Sequence, residues 1–131
     1  MTILISQDGV KISANRLRLI KKKAEKILRA LGCEETELSI LLTEKKRIKE
    51  LNICYRNEKR TPEVLAFPQG RGPKKEMNVL GDVVLRADNR KIKDHLLVHA
   101  ILHLLGYSHG KSSEAKKMQT KEKEILAAID H

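Results

Sequence analysis

Short apolar runs alternate along the chain with longer segments in which apolar residues recur at helical spacing. Residues 3–5 read as a short strand, and Asp8-Gly9 marks a turn. Ser13 then stands where it can cap a helix over roughly residues 14–31, with Leu17, Ile20, Ala24, Ile27, Leu28 and Leu31 on one face and Gly32 at its end. Residues 37–42 predict a second strand. Thr43 is placed to cap a helix running to about residue 55 and burying Ile48, Leu51 and Tyr55. Residues 64–67, apolar between Pro62 and Pro68, predict a third strand, and residues 80–85 a fourth. From about Lys91 a helix is apolar over most of its circumference (Leu96, Leu97, Ile101, Leu102, Leu104, Leu105), the pattern of a buried helix. Residues 113–129 close the chain as an amphipathic helix with Ala115, Met118, Ile125, Leu126 and Ile129 on one side and Lys/Glu on the other. The predicted order is β-α-β-α-β-β-α-α, with no internal repeat or linker, so residues 1–131 read as one domain.

The buried helix carries the chemistry. His99 and His103 are four apart, so both imidazoles leave one helical face, about 5–6 Å from each other, as two ligands of one ion require. Gly106 can enter the left-handed conformation that ends a helix, and the reversed chain can bring His109 back to the same ion. The pattern H-x-x-x-H-x-x-G-x-x-H thus supplies three imidazoles and leaves a fourth position for water or substrate, as catalytic zinc sites do. A single histidine beside an apolar face is ordinarily a packing residue; three at this spacing around a glycine point to metal. His95 extends the ladder, but two turns put it about 12 Å from His103, too far to share an ion. It is read as a neighbour. In the H-E-x-x-H peptidases the residue after the first histidine is the general base. Here it is Ala100, which keeps the ligand spacing and removes the peptidase base.

Composition narrows the partner. The formal net charge is +10 and the pI near 9.8, which favours a polyanion, nucleic acid before an acidic membrane. That Tyr55, Phe67 and Tyr107 are the only aromatic residues argues against base stacking as the main mode of binding. Lys21-Lys22-Lys23 can touch phosphate or simply face water. Arg56 can complement the dipole at its helix C-terminus or aim a guanidinium at phosphate, and it shares a face with Asn52. The Gly- and Lys-rich stretch of residues 69–76 reads equally as an RNA-contacting flap or a solvated loop. Met118 reads as core packing under the site. Cys33 and Cys54 have neither disulfide-framework nor zinc-thiolate spacing. No run is long enough to span a membrane, and the apolar start lacks the basic region of a signal peptide, so the expected location is the cytoplasm.

These residues resemble the YbeY family, bacterial ribosomal-RNA maturation factors described as single-strand-specific, metal-dependent endoribonucleases. The family signature H-G-x-L-H-L-x-G-Y-D-H is matched at His99, Leu102, His103, Leu104, Gly106, Tyr107 and His109. Upstream, Leu51-Asn52-x-x-Tyr55-Arg56 matches L-N-x-x-Y-R, residues 64–68 fall on V-L-S-F-P, and residues 80–85 look like L-G-D-I-x-I. Met118 with Glu122 or Glu124 is similar to the family's closing helix. The chain departs at Ala100 for Gly, Ser108 for Asp, Pro62-Glu63 for Thr-Asp, and Ala66 for Ser. Ser108 removes a carboxylate beside the third ligand and touches the orientation of the site.

The resemblance implies an α/β domain with a small four-stranded mixed sheet packed by about four helices. It further implies a divalent ion, Zn²⁺ before other metals, held by His99, His103 and His109, with Arg56 as an electrostatic clamp on the phosphoryl oxygens. The implied partners are single-stranded and ribosomal RNA, with ribosomal proteins or the small subunit beside them, in 3′-end processing and ribosome quality control. Two rival readings accompany it. One is a non-catalytic RNA-binding assembly factor with a structural zinc; the other is a metzincin-like peptidase, against which Ala100 argues.

Overall fold

A computed structural model describes residues 1–69, 79–88, 91–108 and 110–130. Its elements run β1 (Thr2–Asp8), α1 (Ala14–Ala30), β2 (Glu37–Thr43), α2 (Lys45–Arg56), β3 (Val64–Pro68), β4 (Val79–Arg86), α3 (Asp94–Leu104) and α4 (Ser112–Ile129). This is the α/β order that the apolar pattern predicts. The sheet is mixed, ordered β1-β2-β4-β3, with β1–β2 and β2–β4 parallel and β3–β4 antiparallel.

Each central strand buries one face fully and the other in part, as strands with helices on both sides do. Leu38, Ile40 and Leu42 of β2, with Val83 and Leu85 of β4, pack into one core with α1, α3 and α4. Between them in sequence, Val84 joins Leu65 and Ile48 on the other face, under α2. The strand period of two thus sorts the residues into two cores. α3 lies against β3 and β4, packs on α4 and touches α1. Leu97, Val98, Ala100, Ile101 and Leu102 of α3 are at most 2% exposed.

Local signals explain most boundaries. Ser13 caps α1, its hydroxyl accepting from the Arg16 N–H at 3.2 Å. α3 ends in a Schellman turn: the Gly106 N–H donates to His103 O and the Tyr107 N–H to Leu102 O, at 3.0 and 3.1 Å. Gly106 sits there at φ +101°. Gly81 has a different reason. At φ +141° it faces β3 so closely that a Cβ would fall 2.4 Å from Phe67 O, so no side chain fits.

Two local expectations fail. Thr43 does not cap α2; it is the last residue of β2, and its hydroxyl donates to Asp8 O at 2.9 Å, tying the ends of β1 and β2 together. Tyr55 is not buried but 68% exposed, its ring edge-on to Phe67 at 5.5 Å. α2 buries Ile48, as expected, half-buries Leu51 against it, and buries Asn52 in addition. Among the described residues no helix is long and apolar enough to cross a membrane.

Candidate metal and RNA site

Because α3 is held on several sides by apolar packing, the side chains leaving its one open face are fixed in direction. His99 and His103 occupy that face, and their Nε2 atoms approach to 3.0 Å with the rings nearly perpendicular. Behind His99, its Nδ1 lies 2.6 Å from Glu122 Oε1 of α4. With Glu122 as the acceptor and a neutral ring, Nδ1 donates that bond, and the Nε2 lone pair is left facing His103. A carboxylate behind a histidine is the arrangement that orients metal-binding imidazoles. Two nitrogens about 2.0–2.1 Å from one ion at a near-tetrahedral angle stand about 3.3 Å apart. The observed pair fits such an ion with a small opening. His109, the third residue expected here, lies outside the described residues.

The histidine pair opens into a cleft of about 530 Å³ whose other wall comes from α2, β3 and the loop between them. Arg56 and Arg60 line it with His95, His99 and His103, so Arg56 and the histidine ladder singled out in sequence share one cleft. Arg56 is the last residue of α2, and its Nη2 donates to Ala66 O of β3 at 3.2 Å. This bond draws the guanidinium across the β3 edge toward α3. Asn52, one turn earlier and 1% exposed, does not reach the cleft but pins the following loop, donating from Nδ2 to Arg60 O at 3.0 Å. His95 is exposed, two turns from His103, in keeping with a neighbour. Ala100 is 1% exposed beneath the cleft and offers no proton-transferring group.

Two carboxylates of α4, one behind His99 and one beside Ser108, have no role assigned from sequence. Glu122 reaches His99 from 23 residues away. The resemblance leaves it open between Glu122 and Glu124; the signal that favours Glu122 is its place four residues after Met118, on the inward side of α4. Glu114, in the first turn of the same helix, accepts from the Ser108 hydroxyl at 2.7 Å. Where the resemblance expects Asp at 108, the chain therefore has a hydroxyl that leads to a carboxylate one hydrogen bond further out. Met118 is fully buried under the site, as packing residues are. Residues 70–78, most of the predicted basic flap, lie outside the described residues.

Comparison with known proteins agrees with this architecture. The model of the family described as Endoribonuclease YbeY matches residues 2–130. A protein named Endoribonuclease YbeY from Geobacter sulfurreducens is 36% identical, the alignment covering 87% of each chain. Its namesake from Aquifex aeolicus is 37% identical over 92% of this chain and 89% of the relative. That of Anaeromyxobacter dehalogenans is 39% identical over 88% of this chain, which spans 65% of that longer relative. In fold, the chain is similar to the solution structure of TM1509 from Thermotoga maritima, with a TM-score of 0.60 and 24% identity, covering 98% of this chain and 89% of that one. With a family match over almost the whole length and relatives 36–37% identical over most of both chains, the chain belongs to the YbeY family of endoribonucleases.

Proposed function

We propose that residues 1–131 form one catalytic domain, a metal-dependent endoribonuclease that cuts single-stranded RNA in the maturation of ribosomal RNA. The observation that carries this reading is the pair His99 and His103, with Nε2 atoms 3.0 Å apart, one ring fixed by Glu122, facing Arg56 across a single cleft. Family membership supplies the reaction class; the cleft supplies the parts.

His99, His103 and His109 would hold the ion, which we take to be Zn²⁺ because three neutral imidazoles suit it. Bound there with no anionic ligand, the ion supplies a full positive charge that polarises the scissile phosphodiester or lowers the pKa of a nucleophilic hydroxyl. The protein's own groups do the rest. Glu122 holds the His99 proton on Nδ1 and so keeps Nε2 basic and aimed. Arg56, tethered to the β3 edge, presents N–H groups to the phosphoryl oxygens where negative charge develops in the transition state. RNA also carries its own nucleophile, the 2′-hydroxyl, so the residue occupying the peptidase-base position, Ala100, is less of a handicap than in amide hydrolysis. Products ending in a 2′,3′-cyclic phosphate would identify that route over attack by water. Substrate at the 3′ end of small-subunit ribosomal RNA, and contact with ribosomal proteins there, belong to the same proposal.

The test is cleavage of a labelled single-stranded RNA and its matched duplex by the zinc-loaded chain. Cutting of the single strand, sparing of the duplex, and loss of both metal and activity in His103→Ala are expected. Retention of RNA without any cleavage by the zinc-loaded chain would overturn the enzyme reading in favour of a binding factor with a structural ion.

A further inference from the structure

Outside the cleft, positive charge is most concentrated on α1. This helix carries seven cations and one acid, Glu25, whereas α4 carries four lysines against three glutamates. The bias works against the helix itself. Its first turn has Arg16 and no acid, where the dipole disfavours a cation, and Arg18, Lys22 and Lys26 repel one another at four-residue spacing. Charge that costs helix stability serves something other than α1.

Four of these side chains, Arg16, Lys22, Lys23 and Lys26, line a groove of about 420 Å³, and Lys91 and Lys93, on the segment entering α3, line it with them. Its one acid is Asp94, held by Lys23 at 3.0 Å. Leu19, 56% exposed, and Ile92 contribute apolar surface. The groove leads to the cleft. Lys91, Ile92 and Lys93 also line a depression with Glu63, Arg86 and Leu96, and Glu63 and Leu96 line the cleft beside His95 and His99. Six residues of helix, about 9 Å along the axis, separate Lys93 from His99.

We infer that this groove is an exosite for the phosphodiester backbone of the RNA strand flanking the cut, reached from the cleft past Arg86. The inference rests on the endoribonuclease reading of the cleft. Ammonium groups over an apolar floor, with no aromatic ring in the lining, recognise backbone charge rather than base identity. The exosite therefore favours longer strands with little regard to sequence.

The experiment compares the wild type with the triple variant Lys22→Glu, Lys91→Glu, Lys93→Glu, and with the milder triple Lys→Gln at the same positions. Two labelled single-stranded RNAs share a central sequence, one about 6 and one about 20 nucleotides long, a range bracketing typical single-strand site sizes. Binding is read by anisotropy on ice with the zinc-loaded full chain, and cleavage in parallel on a gel. Charge reversal is expected to weaken binding of the longer RNA by about tenfold or more and to lower the slope of log affinity against log salt by about two, near 0.7 per lost phosphate contact. The Gln triple should fall between, and both variants should cut the short RNA at the wild-type rate. Unchanged affinity and salt slope on the longer RNA would overturn the inference, as would equal losses on both RNAs. Release of phosphatidylserine vesicles by the variant with RNA binding intact would assign the groove to a membrane and also overturn it. A wild type that binds the longer RNA through these lysines yet cuts neither RNA would sink the enzyme reading while leaving the groove an RNA site.

Discussion

On one wall of the cleft, His99 and His103 project from a helix whose Leu97, Val98, Ile101 and Leu102 are buried, and Glu122 braces His99 from behind at 2.6 Å. On the other wall, Arg56 ends an exposed helix and is held by one 3.2 Å bond to a strand carbonyl. The first wall is backed by buried packing and a carboxylate; the second is tethered at a single point. A metal site needs nitrogens placed to within a fraction of an ångström, whereas a guanidinium following a shifting phosphate gains from some freedom. The difference in packing thus matches the difference between the two proposed tasks.

The hardest way to break the comparison is to remove a nitrogen from the rigid wall. His103→Ala should reduce RNA cleavage to the no-enzyme background and lower the zinc content of the purified chain, read by metal analysis. The opposite wall should behave differently: Arg56→Ala is expected to lower kcat by about 10²–10³-fold, the usual cost of losing a transition-state hydrogen-bond donor, with metal content unchanged. Next comes the brace itself. Glu122→Gln should weaken metal affinity about 10–100-fold, measured by competition with a chelator, and excess zinc should restore most of the activity. That rescue separates orientation of a ligand from direct participation.

Two further changes act away from both walls. Gly81→Ala puts a Cβ against Phe67 O and should destabilise the fold by about 1–3 kcal/mol, the range for a residue forced into a rare backbone region, read by urea unfolding. The smallest effect concerns Asp88, whose carboxyl is held below the usual carboxylate range chiefly by its hydrogen bond from Arg86. A depressed folded pKa contributes stability above the unfolded pKa that is lost as pH falls through the folded one. Wild type should therefore exceed Arg86→Gln in stability at neutral pH, and the gap should close as Asp88 becomes protonated in acid.

The fold was legible because burial follows period. Leu38, Ile40 and Leu42 alternate toward one core, and the nearly all-round apolar helix is the buried one. Thr43 was misread because its hydroxyl is equally able to cap a helix or to bridge two strands, and only the neighbouring β1 decides between them. Tyr55 was misread because helical spacing places it beside Leu51 but does not reveal that its ring meets only the edge strand, at Phe67, and otherwise faces solvent. At the site, the spacing of His99 and His103 was local and therefore visible. Glu122 belongs to the same constellation but comes from another helix, and nothing in its own neighbourhood names its partner. Glu114 was hidden for the same reason, since Ser108 reads as a lost carboxylate until α4 is packed beside it.

The most direct measurement follows cleavage of single-stranded RNA as zinc is titrated into metal-stripped wild type and His103→Ala. The account predicts activation of the wild type that saturates at one ion per chain and a flat, inactive response from the variant. Cleavage that proceeds without metal, or that zinc restores equally in both proteins, would contradict it.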